Sequence, residues 1–341
     1  MNHKLPKVSI ALAAGGLLTA ALAAGAATTA SAATAPTWST VLSVSNGTVP
    51  NDVSAVAATG PDSGWAFLQS GSTAYERTGA TTWKAVTLPG ISGAVGSAEA
   101  SSSSNVWAAG TATAGTGTQL DRWNGKNWTE VRTFPTGVSL SVLGPNDVWA
   151  SGGGVFHFNG RTWTTVSTTL QGASGLSDSS AWAFSGDQVD FYNGRTWTAT
   201  SVASLFPAST GHGSPFVTGI IALAPNNVYA VGEGAQSSEG GGPAVVLHFN
   251  GRSWSQAAAI SPDDVVGFGA SLTADGAGGL WMVSDTHENH EALFHYSAGT
   301  LSVVTLSNAV AFSASGIPGT SKVLLGGFSN DYADSVVLQE S

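Results

Sequence analysis

Residues Asn146 to Val166 read NDVWASGGGVFHFNGRTWTTV. Three short strand patterns lie within that stretch: Val148 to Ala150, then Val155 to Phe158 after a glycine break, then a third carrying Trp163 and Val166. Aromatic and β-branched residues alternate with small polar ones, as in half-buried strands bounded by Gly and Asn. The dipeptide Asn159-Gly160 predicts a two-residue type I′ turn between the last two strands, because such a turn needs two positive φ angles. A unit this small cannot bury its own faces. It has to stack on copies of itself.

The copies are present. One aromatic column, on the second strand of each unit, runs Trp65, Trp107, Trp149, Trp182, Tyr229, Trp281 and Leu324. A second column, on the fourth strand, runs Trp38, Trp83, Trp128, Trp163, Trp197, Trp254 and Leu301. Trp123, Phe158, Tyr192, Phe249 and Tyr296 form a third. The mean period along the first column is about 43 residues, which with four strands per unit predicts a β-propeller. All twelve tryptophans belong to these columns, so they read as packing between blades and none is left for a ligand.

The ends of the repeat set the blade number. Thr37 to Val41 matches a fourth strand with no first three ahead of it, while Val310 to Ser313, Lys322 to Gly326 and Ser335 to Gln339 match strands one to three of a last unit. The expectation is an all-β, seven-bladed propeller whose last blade is completed by the N-terminal strand, hiding two sheet edges without a covalent staple. None is available, since the chain has no cysteine.

Lys4 and Lys7 precede an apolar run from Val8 to about Ala24, and Ala30-Ser31-Ala32 offers small residues for cleavage. That pattern predicts a signal peptide over residues 1–32, a propeller over 33–341, and a secreted, extracellular product. The formal net charge is −10, and removing the leader takes two lysines with it. A chain this acidic is unsuited to nucleic acid or anionic lipid. No other stretch is long and apolar enough for a membrane span.

The pattern [ND]-x-V-W-A-x-G, an aromatic strand, then N-G-[KR]-x-W-x-x-V resembles secreted propeller-repeat proteins of high-GC Gram-positive bacteria. More distantly it resembles Kelch and galactose-oxidase propellers, through glycine pairs such as Gly152-Gly153 and Gly326-Gly327. The copper site of the latter is not implied, because its thioether-linked tyrosine needs a cysteine.

Chain reversal in an antiparallel blade puts the turns after strands one and three on one face of the disc and the remaining loops on the other. The first face carries near-identical turns, Pro145-Asn146-Asp147, Pro225-Asn226-Asn227 and four Asn-Gly pairs followed by Lys126, Arg161, Arg195 and Arg252. The second carries loops of unequal length, with long ones at 205–218 and 232–243. Variable loops on a fixed scaffold point to the binding face. On it the sequence offers His212, Phe216, Glu233, Glu239, Asp331 and Tyr332 as ligand contacts, with Phe206 beside them. Asp285-Thr286-His287-Glu288-Asn289-His290-Glu291, read as a loop in blade six, could bring Asp285, His287, His290 and Glu291 to a divalent metal ion, the one candidate cofactor. His157, His248 and His295 share a repeat position with Arg77, Arg122 and Phe191, and a shared position implies a packing role.

No Gly-x-Ser-x-Gly elbow or phosphate loop appears, and no catalytic residue is assigned. The reading that follows is a monomeric extracellular binding module for a carbohydrate, cell-wall polymer or protein ligand. Two alternatives stand beside it: a metal-assisted hydrolase or lyase using the 285–291 loop, and a protein-interaction scaffold.

Overall fold

The computed structural model describes residues 36–46, 51–207, 213–235, 242–260, 265–286 and 292–341, with the side chains of 265–270 and 285–286 excepted. Among the described residues, the strands form seven four-stranded antiparallel sheets. The sheets are the blades of a seven-bladed β-propeller, at 53–87, 91–134, 139–167, 171–201, 216–260, 265–304 and 309–340.

The seventh blade is completed by Trp38–Ser45, which pairs antiparallel with Asp334–Glu340 from Trp38 opposite Glu340 to Ser45 opposite Asp334. The strand runs further than the five residues expected, past a bulge at Val41. Backbone bonds at both ends fasten it, Ser341 N–H to Thr37 O at 2.9 Å and Asn46 N–H to Ala333 O at 2.9 Å, and Ser43 donates to Asp334 at 2.8 Å.

Each seam between blades is built from the predicted columns. The second-strand ring of one blade meets third- and fourth-strand rings of the next: Trp65 meets Trp123 and Trp128 at 5.0 Å each, Trp107 meets Phe158 at 5.7 Å, Trp182 meets Phe249 at 5.0 Å and Trp254 at 5.5 Å. Trp281 of blade six meets Trp38 at 5.6 Å, so the N-terminal strand supplies the fourth-strand aromatic of blade seven. Edge-to-face contacts of this kind add to the area each ring removes from water. Trp65, Trp107, Trp149 and Trp281 are fully buried.

Two local expectations are corrected. The Asn-Gly turns are not two-residue type I′ loops: Trp123 pairs with Trp128 and Phe158 with Trp163, leaving four residues between. Only the glycines take positive φ, from +87° to +90°. The asparagine acts through its side chain, Asn159 Oδ1 accepting the N–H groups of Arg161 and Thr162 at 3.0 Å each, and Asn124, Asn193 and Asn250 do the same. The second correction concerns Arg77. Its blade has five residues in that turn, so Glu76 rather than Arg77 faces Trp65, and Arg77 pairs with Trp83 in the aromatic column. Buried there, it donates to the Gln339 side chain at 2.6 Å, joining blade one to blade seven.

Candidate functional site

The inner strand of every blade presents one unpaired edge to the central axis. Backbone N–H groups on such an edge need acceptors. They find them in the preceding blade: Ser141 Oγ accepts from Gly175 N–H (3.1 Å), Ser174 Oγ from Ala222 N–H (2.9 Å), Thr273 Oγ1 from Gly316 N–H (2.9 Å) and Ser315 Oγ from Ala58 N–H (3.0 Å). In blade two the same position is Glu99, whose Oε2 accepts Val142 N–H at 2.6 Å. Ala57 and Ile221 fill the position in blades one and five and bring no acceptor. Two residues earlier, Ser97 accepts from Leu140 N–H and Ser271 from Ala314 N–H.

These side chains line a cavity of about 710 Å³ along the axis. On the loop face, at blades three and four, Gly137, Ser151 to Gly154, Thr168 to Gly172 and Phe184 line its mouth. The loop after Ser151 is only three glycines long, and Gly152 lies so close to the backbone of Gly137 that a Cβ there would collide with its carbonyl. Hydroxyls, glycines and aliphatic carbons dominate the wall. Among the described residues that line it, Glu99 is the only ionisable group.

Glu99 is exposed to the channel rather than packed in a core, but the enclosing ring of blades leaves its carboxylate short of full bulk solvation. That desolvation pushes its pKa up to about 7, and the Val142 N–H offsets only part of the rise.

The predicted loop-face residues are scattered. Glu233 ends the strand Asn227–Glu233 and is buried opposite Phe216, which begins Phe216–Ala224 and is half-buried. Phe206, expected in the open, is buried in the seam of blades four and five. Tyr332 is 60 % exposed at φ 58°, with its ring stacked on Phe328 at 4.6 Å. Asp331 beside it accepts from Ser329 Oγ at 2.6 Å and Ala333 N–H at 3.2 Å, and those bonds hold its carboxyl below the usual range. Asp285 belongs to the strand Leu280–Thr286, opposite Val266, rather than to a loop. His287, His290, Glu291, His212 and Glu239 lie outside the described residues. Among the described residues, no three His, Asp or Glu side chains group as metal ligands would, and no helix is long and apolar enough to cross a membrane.

The histidine column is structural. His157, His248 and His295 lie over the second-strand rings of Trp149, Tyr229 and Trp281 at 4.4, 4.6 and 4.0 Å. Their Nε2 atoms bond Asp147, Asn227 and Asp275 at 2.9, 2.9 and 3.0 Å. In blade two Arg122 replaces the imidazole, 5.1 Å over Trp107 and bonded through Nε to Asn105. The Asn or Asp two residues before the aromatic in blades two, three and five is thus a partner for the third strand as well as a turn residue.

Sequence reasoning passed over Glu99. Its signal is positional: it lies eight residues before Trp107, as Ser141, Ser174 and Thr273 lie eight before Trp149, Trp182 and Trp281.

No family model matches the chain, and no curated protein does. Solved structures do. One described as YCF48 bound to D1 peptide is 13% identical with a TM-score of 0.56, covering 89% of this chain and 96% of its own. A virginiamycin B lyase from Staphylococcus aureus with quinupristin is 10% identical with a TM-score of 0.58, covering 89% and 100%. A xyloglucanase from Xanthomonas campestris is 12% identical with a TM-score of 0.57, covering 88% of this chain and 53% of its own. Likeness at such identities is a likeness of fold, and the fold the chain shares with them is the β-propeller.

Proposed function

We propose that this chain is a secreted, extracellular binding module that holds its ligand on the loop face, over and into the mouth of the central channel. The observation that carries this reading is the hydroxyl-rich cavity of about 710 Å³ opening on the face with the variable loops. Its volume lies within the roughly 300–1,000 Å³ of small-molecule sites. The wall suits a neutral glycan or the backbone of a peptide, because serine and threonine hydroxyls can both donate and accept. The leader-like residues 1–32 and the resemblance to secreted bacterial propeller proteins support the extracellular address. Structural neighbours described with a bound peptide and with quinupristin support the use of this fold for holding such ligands.

The test is an array of neutral cell-wall glycans and peptides probed with the purified chain, its Thr169→Trp variant and its Arg161→Glu variant. Thr169 is exposed at the mouth, whereas Arg161 is exposed in a turn on the opposite face. Binding lost with Thr169→Trp and kept with Arg161→Glu is the expected result. Loss with Arg161→Glu alone would move the site to the turn face and overturn the reading.

A further inference from the structure

Glu99 does the same structural work as Ser141, Ser174, Thr273 and Ser315, accepting a backbone N–H from the next inner strand. A serine suffices for that work, so the carboxylate brings something the seam does not use. Its second oxygen, Oε1, has no hydrogen-bond partner among the described residues, and the residue is exposed in the channel. No Lys, Arg or His among the described residues lines the channel to neutralise it. Around it, each ring serine gives one lone pair to a backbone N–H and keeps its hydroxyl proton free to donate. Among its described residues the channel therefore offers a single anionic acceptor within a ring of neutral hydroxyls.

That donor set sorts ligands by charge. An anion is repelled by Glu99. A calcium ion calls for about six to eight oxygens, commonly with several carboxylates among them, whereas the described wall brings one. One ammonium group matches that charge and forms a charge-assisted hydrogen bond. We propose that the channel binds a small polyhydroxylated amine, with its ammonium on Glu99 Oε1 and its hydroxyls on the serine and threonine ring. This inference rests on the binding-module reading and specifies the ligand's charge.

Glu99→Gln tests it without dismantling the seam, because the glutamine carbonyl can still accept Val142 N–H. Calorimetric titration of the full chain at about pH 8 would compare glucamine, an aliphatic amine protonated there as lysine is, with its neutral counterpart sorbitol. Glucamine should bind one to one, at least about tenfold more weakly to Glu99→Gln, while sorbitol should not distinguish the two proteins. Glu99→Asp, which keeps the charge but shortens the reach, should still prefer glucamine to sorbitol. Absence of glucamine binding, or equal binding to wild type and Glu99→Gln, overturns the proposal. A glycan hit blocked by Thr169→Trp yet indifferent to Glu99→Gln would sink the amine site and leave the binding module standing.

Discussion

The outer and inner parts of each seam solve different problems. Outward, aromatic rings from neighbouring blades interlock, and the requirement is area: Trp, Tyr and Leu all occur in the second-strand column. Inward, a hydroxyl or carboxylate meets a backbone N–H, and the requirement is direction. Burial is non-directional and tolerates exchange of one large side chain for another, whereas an edge N–H is satisfied only by an acceptor at bonding distance. The outer seam should therefore dominate stability, and the inner seam should decide what the channel looks like to a ligand.

The largest expected effect comes from breaking the outer part. Trp107 is fully buried between Phe158 and Trp163 of the next blade. Trp107→Ala should cost about 3–5 kcal/mol, as large-to-small changes at buried aromatics do. Chemical denaturation followed by tryptophan fluorescence would measure it. A loss below about 1 kcal/mol would mean that the aromatic columns are not what holds the ring together.

Those columns were also the legible part of the fold. Tryptophan is rare enough that twelve placed on a common period reveal blade number, strand order and the origin of the closing strand. Legibility ended where one inserted residue shifts a register, which is why Arg77 was counted with the histidines although it pairs with Trp83. The turn type was misread because asparagine suits both a positive φ and a side-chain cap, and here it caps. The channel was least legible. Inner strands such as Ser139–Gly144 and Gln171–Ser177 are rich in serine and glycine, and their alternation reflects hydrogen-bonding duty rather than hydrophobicity. Glu99 shows itself only when residues are counted back from Trp107.

A middle-sized effect is expected from the inner part. Ser141→Ala leaves the Gly175 N–H without its acceptor and should cost about 1–3 kcal/mol, toward the lower end because channel water can substitute. Ser141→Thr, which keeps the hydroxyl, should recover most of the loss in the same denaturation assay. If alanine and threonine behave alike, the hydroxyl-to-amide bond is not what stabilises the inner edge.

The smallest effect separates Glu99 from the serines that share its position. Its folded pKa is about 7 against an ordinary value of 4.5, so between those values the folded chain holds a proton that the unfolded chain has released. Folding is then favoured by protons, and stability falls as the pH rises through that window. The contribution is fully present below about pH 4.5 and gone above about pH 7. Channel water screens the charge, which should keep the change below about 1 kcal/mol. Glu99→Gln carries no titrating group there, so subtracting its melting curves from those of wild type between the two pH values should isolate the decline. A difference of opposite sign would mean that the carboxylate is stabilised in its charged form, by the Val142 N–H and the surrounding hydroxyls or by a cation, more than burial disfavours it.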